Sequence, residues 1–480
     1  MVNMADELIG ADEGGYTEGV RTLLGEPKNA IVKLSIPMIL AMLIQATYNL
    51  VDAIWVAGIG AEALAAVGFV FPFYFIMMAI STGLGIGSSS AISRRIGAKD
   101  KSGADSVAIH SVVLLIALTA AFTLPLVFFA GNIFSTIGAG ATLDMTVAYG
   151  RIIFAGAIFL FFSNVANAIL RGEGDARRAM YALALGAGLN TVLDPIFIYT
   201  LGLGVSGAAL ATILSLAISS ALLFYWLAIK RSTYVSLRLR GFRFDGKILH
   251  DILRVGIPSS IIQVSMSISM VLINYIIVLI SHGSTDGVAV YSTGWRVATI
   301  GTLPLNGIST AVVAVCGAAF GEGSFEKISI SHMHAIKIGL TIEGVVTAIT
   351  FVFAPQIAAV FTYSEGAARI ADDLTLFLRI ACIFWPFVSF GMLSSALFQG
   401  VGKGINSLIA TVLRSLVLTL LFVSLFAFVL DHGLIGVWWG IVLANIMGSV
   451  IVFGWARFYV NKLMATRQIV RPFDKWIGRA

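Results

Sequence analysis

Twelve times along its 480 residues this chain runs through a stretch of roughly 20 or more mostly apolar residues, enough for a helix to cross a hydrocarbon core about 30 Å thick. The stretches cover approximately 34–57, 64–90, 107–130, 146–170, 178–200, 205–229, 252–280, 287–317, 334–360, 373–398, 406–430 and 434–459. Lipid offers no partner to backbone N–H and C=O groups, so only helices or closed barrels can span it, and runs this continuous lack the alternation of barrel strands. The expected fold is therefore an all-α polytopic membrane protein. The chain is 58% hydrophobic and only 12% charged, against about 25% charged residues in soluble domains.

A formal net charge of +6 would suggest a nucleic-acid partner in a soluble protein, but here the placement of the charges accounts for their sum. Arg94, Arg95, Lys99 and Lys101 follow span two; Arg171, Arg177 and Arg178 follow span four; Lys230, Arg231, Arg238, Arg240, Arg243 and Lys247 follow span six. Lys327, Lys403 and the tail residues Lys462, Arg467, Arg471, Lys475 and Arg479 keep the same parity. The opposite loops carry Glu62, Asp144, Asp286, Glu365, Asp372, Asp373 and Asp431, with Arg369 as their one basic residue. The positive-inside rule then places both termini in the cytoplasm and the chain in the cell membrane as a multi-pass protein. The first thirty or so residues lack a short apolar core with a small-residue cleavage site, so span one is expected to act as an uncleaved start. Cys316 and Cys382 both fall in apolar spans, where the role of a small hydrophobe is expected and a disulfide or metal pair is not.

The second half of the chain echoes the first. Ile31-Val-Lys-Leu-Ser-Ile-Pro37 answers Ile252-Leu-Arg-Val-Gly-Ile-Pro258; Arg151 and Gly172 have the separation of Arg379 and Gly400; and Arg171-Gly-Glu-Gly174 answers Gln399-Gly-Val-Gly402. Such repeats are a hallmark of transporter folds. Each half holds six spans and starts from the same side, so the two relate by an axis along the membrane normal. The expected organisation is a cytoplasmic N-terminal segment (1–33), a first lobe (34–229), a linker (230–251), a second lobe (252–460) and a basic tail (461–480), with two pseudo-symmetric six-helix lobes around a central cavity.

The polar residues break that symmetry. Gln45, Tyr48, Asn49 and Asp52 stand at i, i+3, i+4 and i+7 on one face of span one, and Asn190 and Asp194 share a face of span five, followed by Pro195. By the repeat register Asp52 corresponds to Ile273, Asn190 to Leu418 and Asp194 to Phe422. An Asp at the bilayer centre costs about 2.5–3.5 kcal/mol even on the lenient insertion scale, so these acids must face protein or water and are functional by default. Two carboxylates facing each other at low dielectric cannot both ionise comfortably, so one is expected to hold a proton or a cation. Elsewhere, Lys337 and Arg414 are expected to snorkel towards the boundary and Arg151 and Arg379 to bind helix ends or headgroups; Arg296 and Glu343 lie deeper, with a mutual ion pair as one alternative. Met42, Met77, Met266, Met270, Phe71, Phe73 and Trp295 are candidates for an adaptable cavity lining or for packing.

Pro37, then Gln45-Ala-Thr-Tyr-Asn-Leu-Val-Asp52-Ala-Ile-Trp-Val, Ala63-Leu-Ala-Ala-Val67, Leu170-Arg-Gly-Glu-Gly-Asp175 and Leu189-Asn-Thr-Val-Leu-Asp-Pro195 resemble segments of the multidrug and toxic compound extrusion (MATE) family, and the acidic first half is similar to its prokaryotic DinF-like branch. The resemblance implies that Asp52, Asn190, Asp194 and Thr212 form the proton or sodium site, with Tyr149 and Gln45 nearby. It also implies that span one bends near Pro37 when the site changes occupancy. Against a hinge, Pro37 and Pro258 stand early in their spans, where proline is tolerated without a kink.

The sequence holds no GxxxxGK[ST] phosphate loop and no HExxH helix, so neither ATP nor any cofactor is expected beyond the coupling ion, H+ or Na+, and the chain is not expected to be an enzyme. The reading is a secondary-active exporter, working as a monomer, that exchanges amphiphilic or cationic organic substrates for the ion by alternating access. The rival is a flippase for a lipid-linked saccharide, whose cavity should present central basic residues where this chain presents acids.

Overall fold

The computed structural model describes residues 16–230, 232–237, 242–281, 284–363 and 365–477. Arg231, Arg238, Arg240 and Arg479, used in the charge count above, lie outside them. Among the described residues no strand occurs. Eleven helices among the described residues are long and apolar enough to cross a membrane, and a pair bent by 42°, Gly140–Ala155 with Ala157–Gly172, makes twelve if it is one span. The twelve follow one another in the order expected from the apolar runs.

In the first half a short helix α1 (Glu18–Leu24) leads into α2 (Pro27–Ala57), α3 (Ala61–Gly97), α4 (Lys101–Phe128), the bent pair α5 (Leu143–Ala155) and α6 (Ala157–Gly172), α7 (Ala176–Pro195) and α8 (Gly204–Phe224). The second half comprises α9 (Gly246–Ile280), α10 (Asp286–Gly301), α11 (Leu303–Gly321), α12 (Phe325–Val352), α13 (Ala371–Ala381), α14 (Trp385–Gly400), α15 (Gly404–Val412) and α16 (Gly433–Ile477).

Helix boundaries follow local chemistry more than hydropathy. Glu26 accepts from Asn29 N at 2.8 Å and Pro27 occupies the first turn, so α2 starts well before its apolar run. Pro37 is thus an interior proline, and so is Pro258, since α9 starts at Gly246. This corrects the placement of both prolines in a tolerant first turn: each removes a backbone donor inside a helix and leaves a carbonyl four residues back unserved. Span eight, expected unbroken over 287–317, divides at Thr302 because Pro304 opens a new helix. The expected ninth span, 334–360, likewise stops at Val352, before Pro355.

Without a hydrophobic force to join helices in lipid, close packing of small residues does so. The Gly-, Ser- and Ala-rich inner part of α3 packs on α6 and on α9, with Gly85 against Ala168, and Gly83 and Gly87 against the α9 backbone at Gly256 and Ile252. α2 packs on α7 within its own half and on α11 across it. At the end of the molecule that carries the basic loops, Ser90 Oγ donates to Gly400 O at 3.1 Å and the Arg94 guanidinium lies 2.9 Å from Asp251. The echoed Gly-x-Gly turns share one geometry: Gly174 and Gly402 take φ of +86° and +78°, a left-handed conformation that glycine adopts without steric cost.

Candidate functional site

α2 and α7 cross with their polar faces together. Asp194 has no exposed surface and Asn190 is 2% exposed, while Asp52 is half-buried. The carboxyl groups of Asp52 and Asp194 lie close enough to interact directly, and two carboxyls that meet at low dielectric do not both ionise readily. The Asn190 amide serves both neighbours in one orientation: its nitrogen donates to Asp194 Oδ2 at 2.9 Å, and its oxygen accepts from Thr212 N at 3.1 Å and faces Thr212 Oγ1 at 3.3 Å. Thr212 stands on α8, so three helices build the cluster.

The local fold explains why these groups can meet. Asn190 and Asp194 lie one turn apart on α7, which ends at Pro195 and passes into a π-helical turn, Ile196–Thr200. The proline interrupts the hydrogen-bond ladder beside the acid, and wide turns of this kind gather at functional sites. The neighbouring end of α2 is held in place by Tyr199, whose hydroxyl donates to Trp55 O at 2.7 Å and whose ring meets the Trp55 indole edge-on.

Of the other residues marked in the sequence, Tyr48 lies close enough to both acids to feel their charge, and so does Tyr149. Gln45 is half-buried and Asn49 exposed, and neither makes a hydrogen bond among the described residues. Pro37 stands fifteen residues before Asp52, about 22 Å down the helix, so it can act on the site only through the helix that carries it. Tyr74 on α3 was not foreseen: it couples electrostatically to Asp52 and Tyr48. The signal available for it was the one hydroxyl in the run Phe71-Pro-Phe-Tyr-Phe75.

The structure decides several other readings. Glu343 and Arg296 form no ion pair: Glu343 is fully buried with neither carboxylate oxygen hydrogen-bonded, and Arg296 is exposed. Arg414 does not snorkel. A π-helical turn, Leu413–Leu418, carries it inward, where Gly391 and Gly448 make room and its guanidinium donates to Asn445 Oδ1 at 3.2 Å. Met77 is fully buried and Phe73 packs edge-on against Phe134 and Phe154, so both belong to the core, whereas Phe71 and Met266 are exposed.

As a chemical unit, the cluster can hold a shared proton between two carboxyls while the amide and hydroxyl fix their orientation. For a sodium ion its oxygen donors are Asp52, Asp194, Thr212 and the Asn190 carbonyl, but the Asn190 orientation that satisfies its neighbours turns the amide nitrogen towards Asp194. No group of three or more His, Cys, Asp or Glu side chains that could hold a metal ion occurs among the described residues.

A sequence model described as MatE matches residues 37–196 and again 258–425. The chain is 25% identical over 419 residues to the multidrug export protein MepA of Staphylococcus aureus (strain NCTC 8325 / PS 47), covering 87% of this chain and 90% of that protein. Among solved structures it is similar to the outward-facing conformation of a multidrug resistance MATE family transporter of the MOP superfamily, with 48% identity, a TM-score of 0.90 and coverage of 94% of this chain and 99% of that one. It is also similar to a MOP superfamily transporter from Pyrococcus furiosus Vc1 (DSM3638), with 48% identity, a TM-score of 0.89 and the same coverage.

Proposed function

The chain belongs to the MatE family, and on that footing we propose that it exports amphiphilic, often cationic organic molecules in exchange for a proton taken up at Asp52 and Asp194. It is a multi-pass membrane transporter and not an enzyme. The observation that carries the proposal is the meeting of two carboxyls, one of them fully buried, at a helix crossing where a lipid-facing helix would have none. A proton suits this arrangement better than sodium, since two facing carboxyls can share one and the amide nitrogen points at one of them.

The domain reading is of two lobes, 34–229 and 252–460, joined by the 230–251 linker. With the basic loops and both termini on the cytoplasmic side, the contacts of Ser90, Arg94 and Gly97 with the second lobe close the cytoplasmic end in this conformation. Loading the acids can drive exchange only by favouring one conformation over the other. The contact surface of α2 supplies a route: one side carries Asp52 towards α7, and the other packs on α11 of the opposite lobe. A lipid-linked saccharide flippase is disfavoured because the deepest charges in the first lobe are acids and would repel a pyrophosphate.

In proteoliposomes with an imposed pH gradient, efflux of a fluorescent lipophilic cation should collapse in Asp52→Asn while the variant still folds. Wild-type efflux retained in that variant would sink the assignment. A sodium gradient imposed at constant pH decides the ion: flux that follows sodium and ignores pH moves the site from proton to metal-ion coupling.

A further inference from the structure

The second lobe holds a buried acid that the coupling site leaves unused. Glu343 on α12 has no exposed surface and neither carboxylate oxygen has a hydrogen-bond partner. Its surroundings follow from its neighbours on the same helical face. One turn before it, a Cβ on Gly339 would stand 3.0 Å from Ser389 Oγ; one turn after it, Thr347 Oγ1 donates to Cys382 O at 3.0 Å. The register is antiparallel, so Glu343 stands level with Trp385 and Pro386, at the start of α14. Trp385 and Ser389 are also fully buried, and neither the indole nitrogen nor the hydroxyl has a partner. Buried polar groups almost always find one, so three without partners at one helix contact call for a reason.

The internal repeat isolates the feature. In the first lobe Thr123 Oγ1 donates to Phe154 O at 2.9 Å, the counterpart of the bond from Thr347 to Cys382. The turns before these helices match in the same register, with Lys99 at φ +60° and Gly323 at φ +69°. In that register Glu343 corresponds to Thr119, and by the Gly172 and Gly400 marks Trp385 corresponds to Ala157 and Ser389 to Phe161. An acid and two donors have therefore replaced a threonine, an alanine and a phenylalanine at one spot.

We propose that Glu343 is a second proton-binding site, in the lobe opposite Asp52 and Asp194, and that Trp385 Nε1–H and Ser389 Oγ–H receive its carboxylate when the proton leaves. The inference rests on the ion-coupled reading above. The indole offers a donor and no acceptor, so this set suits a carboxyl that gains and loses a proton and does not suit a metal ion. Other ionisable groups on the elements around α12 are engaged elsewhere or exposed. Arg379 lies over the Phe351 ring, Arg457 donates to Ser329 Oγ at 2.9 Å, and the Cys382 thiol faces Arg379 O. On α12 itself His332 pairs with Ser394, Lys337 is exposed, and the half-buried His334 stands nine residues before Glu343, about 13 Å along the helix; on α16 Lys462 is exposed, as is Lys33 on α2. In this conformation the carboxyl makes no bond to these donors; deprotonation would swing it onto the start of α14 and tie α12 to α14.

The test is an infrared pH titration of the reconstituted full-length protein carrying Asp52→Asn and Asp194→Asn, which silences the two acids of the proposed first-lobe site and leaves Glu173 as a background common to every variant compared. Adding Glu343→Gln should remove the intensity of one titrating carboxyl. Glu343→Asp, a gentler change, should retain that signal at a displaced midpoint, and Trp385→Phe with Ser389→Ala should displace it in the Glu343 protein. An unchanged spectrum on adding Glu343→Gln overturns the proposal, and an unmoved midpoint in the Trp385 and Ser389 variant removes the donors from it. Because this readout needs no transport, its failure is separate from retained efflux in Asp52→Asn, which would defeat the first-lobe site instead.

Discussion

Glu173, in the loop between α6 and α7, shows how a single buried carboxyl makes stability depend on pH. It has no exposed surface; one oxygen accepts from Val235 N at 2.7 Å and the other has no partner. Burial, aided by the nearby Asp175, pushes its carboxyl from an ordinary value of 4.5 up to about 8, against the pull of the Val235 N–H, Arg178 and Lys101. A raised folded value means that the folded protein holds the proton more tightly than the unfolded chain. The stabilisation is therefore complete below about pH 4.5 and is lost as pH rises through about 8. The displacement exceeds one unit, which is worth about 1.4 kcal/mol. Thermal unfolding of the purified protein should show stability falling between pH 5.5 and 8.5, with a flatter profile in Glu173→Gln; parallel profiles would exclude Glu173 as the source. The contrast with the proposed site at Asp52 and Asp194 shows what single residues reveal. Asp52, Asn190 and Asp194 were legible because acids and amides are costly in an apolar run and their spacing gave a common face. Tyr74 was hidden among phenylalanines, and Glu343 looked like one member of a pair because sequence does not say which way a helix turns its acid.

Helices add a constraint that residues alone do not carry, and Pro37 is the clearest case. Because capping by Glu26 and Pro27 extends α2 backwards, the proline lies in the third turn and deprives the Lys33 carbonyl of its donor. Pro37→Ala restores that bond and should raise the melting temperature, by up to about 3 kcal/mol of helix stability, while slowing efflux if bending of α2 accompanies the cycle. Faster efflux or an unchanged rate would make the proline a packing residue only. The same element shows where hydropathy reading stops. Apolar runs found all twelve crossings because the bilayer sets their length. They missed helix ends, since caps such as Asp100 on Gly103 N and Asp175 on Arg178 N lie in polar loops. They also missed the division of span eight, where Pro304 acts within an unbroken hydrophobic pattern, and the π-helical turn that rotates Arg414 inward, which has no compositional mark.

At the scale of the whole molecule, the two lobes meet through backbone surfaces that tolerate no side chain. Gly97 packs on the Ala318 carbonyl and Gly321 on the Arg94 carbonyl, so each lobe contributes a glycine against the other's backbone. Beside them, Arg94 bridges to Asp251 in the first turns of α9 and donates from Nη1 to Ser90 Oγ on its own helix at 2.7 Å. A closed end built this way is sensitive to volume because the opposing atoms are backbone and cannot rotate aside. Gly321→Ala places a methyl group into the Arg94 carbonyl when the end is closed and into open space when the lobes part. It therefore penalises one conformation selectively, and each 1.4 kcal/mol or so of that penalty changes the ratio of the two states about tenfold. Spin labels at the exposed positions Lys99 and Glu326, one on each lobe, should report a longer distance population in Gly321→Ala than in the parent protein. The wedge leaves Asp52 and Asp194 untouched, so the proton site should still titrate while exchange slows. A distance distribution identical to the parent's would mean that the lobes do not separate at this end, and the alternating closure built on these contacts would have to be sought elsewhere in the molecule.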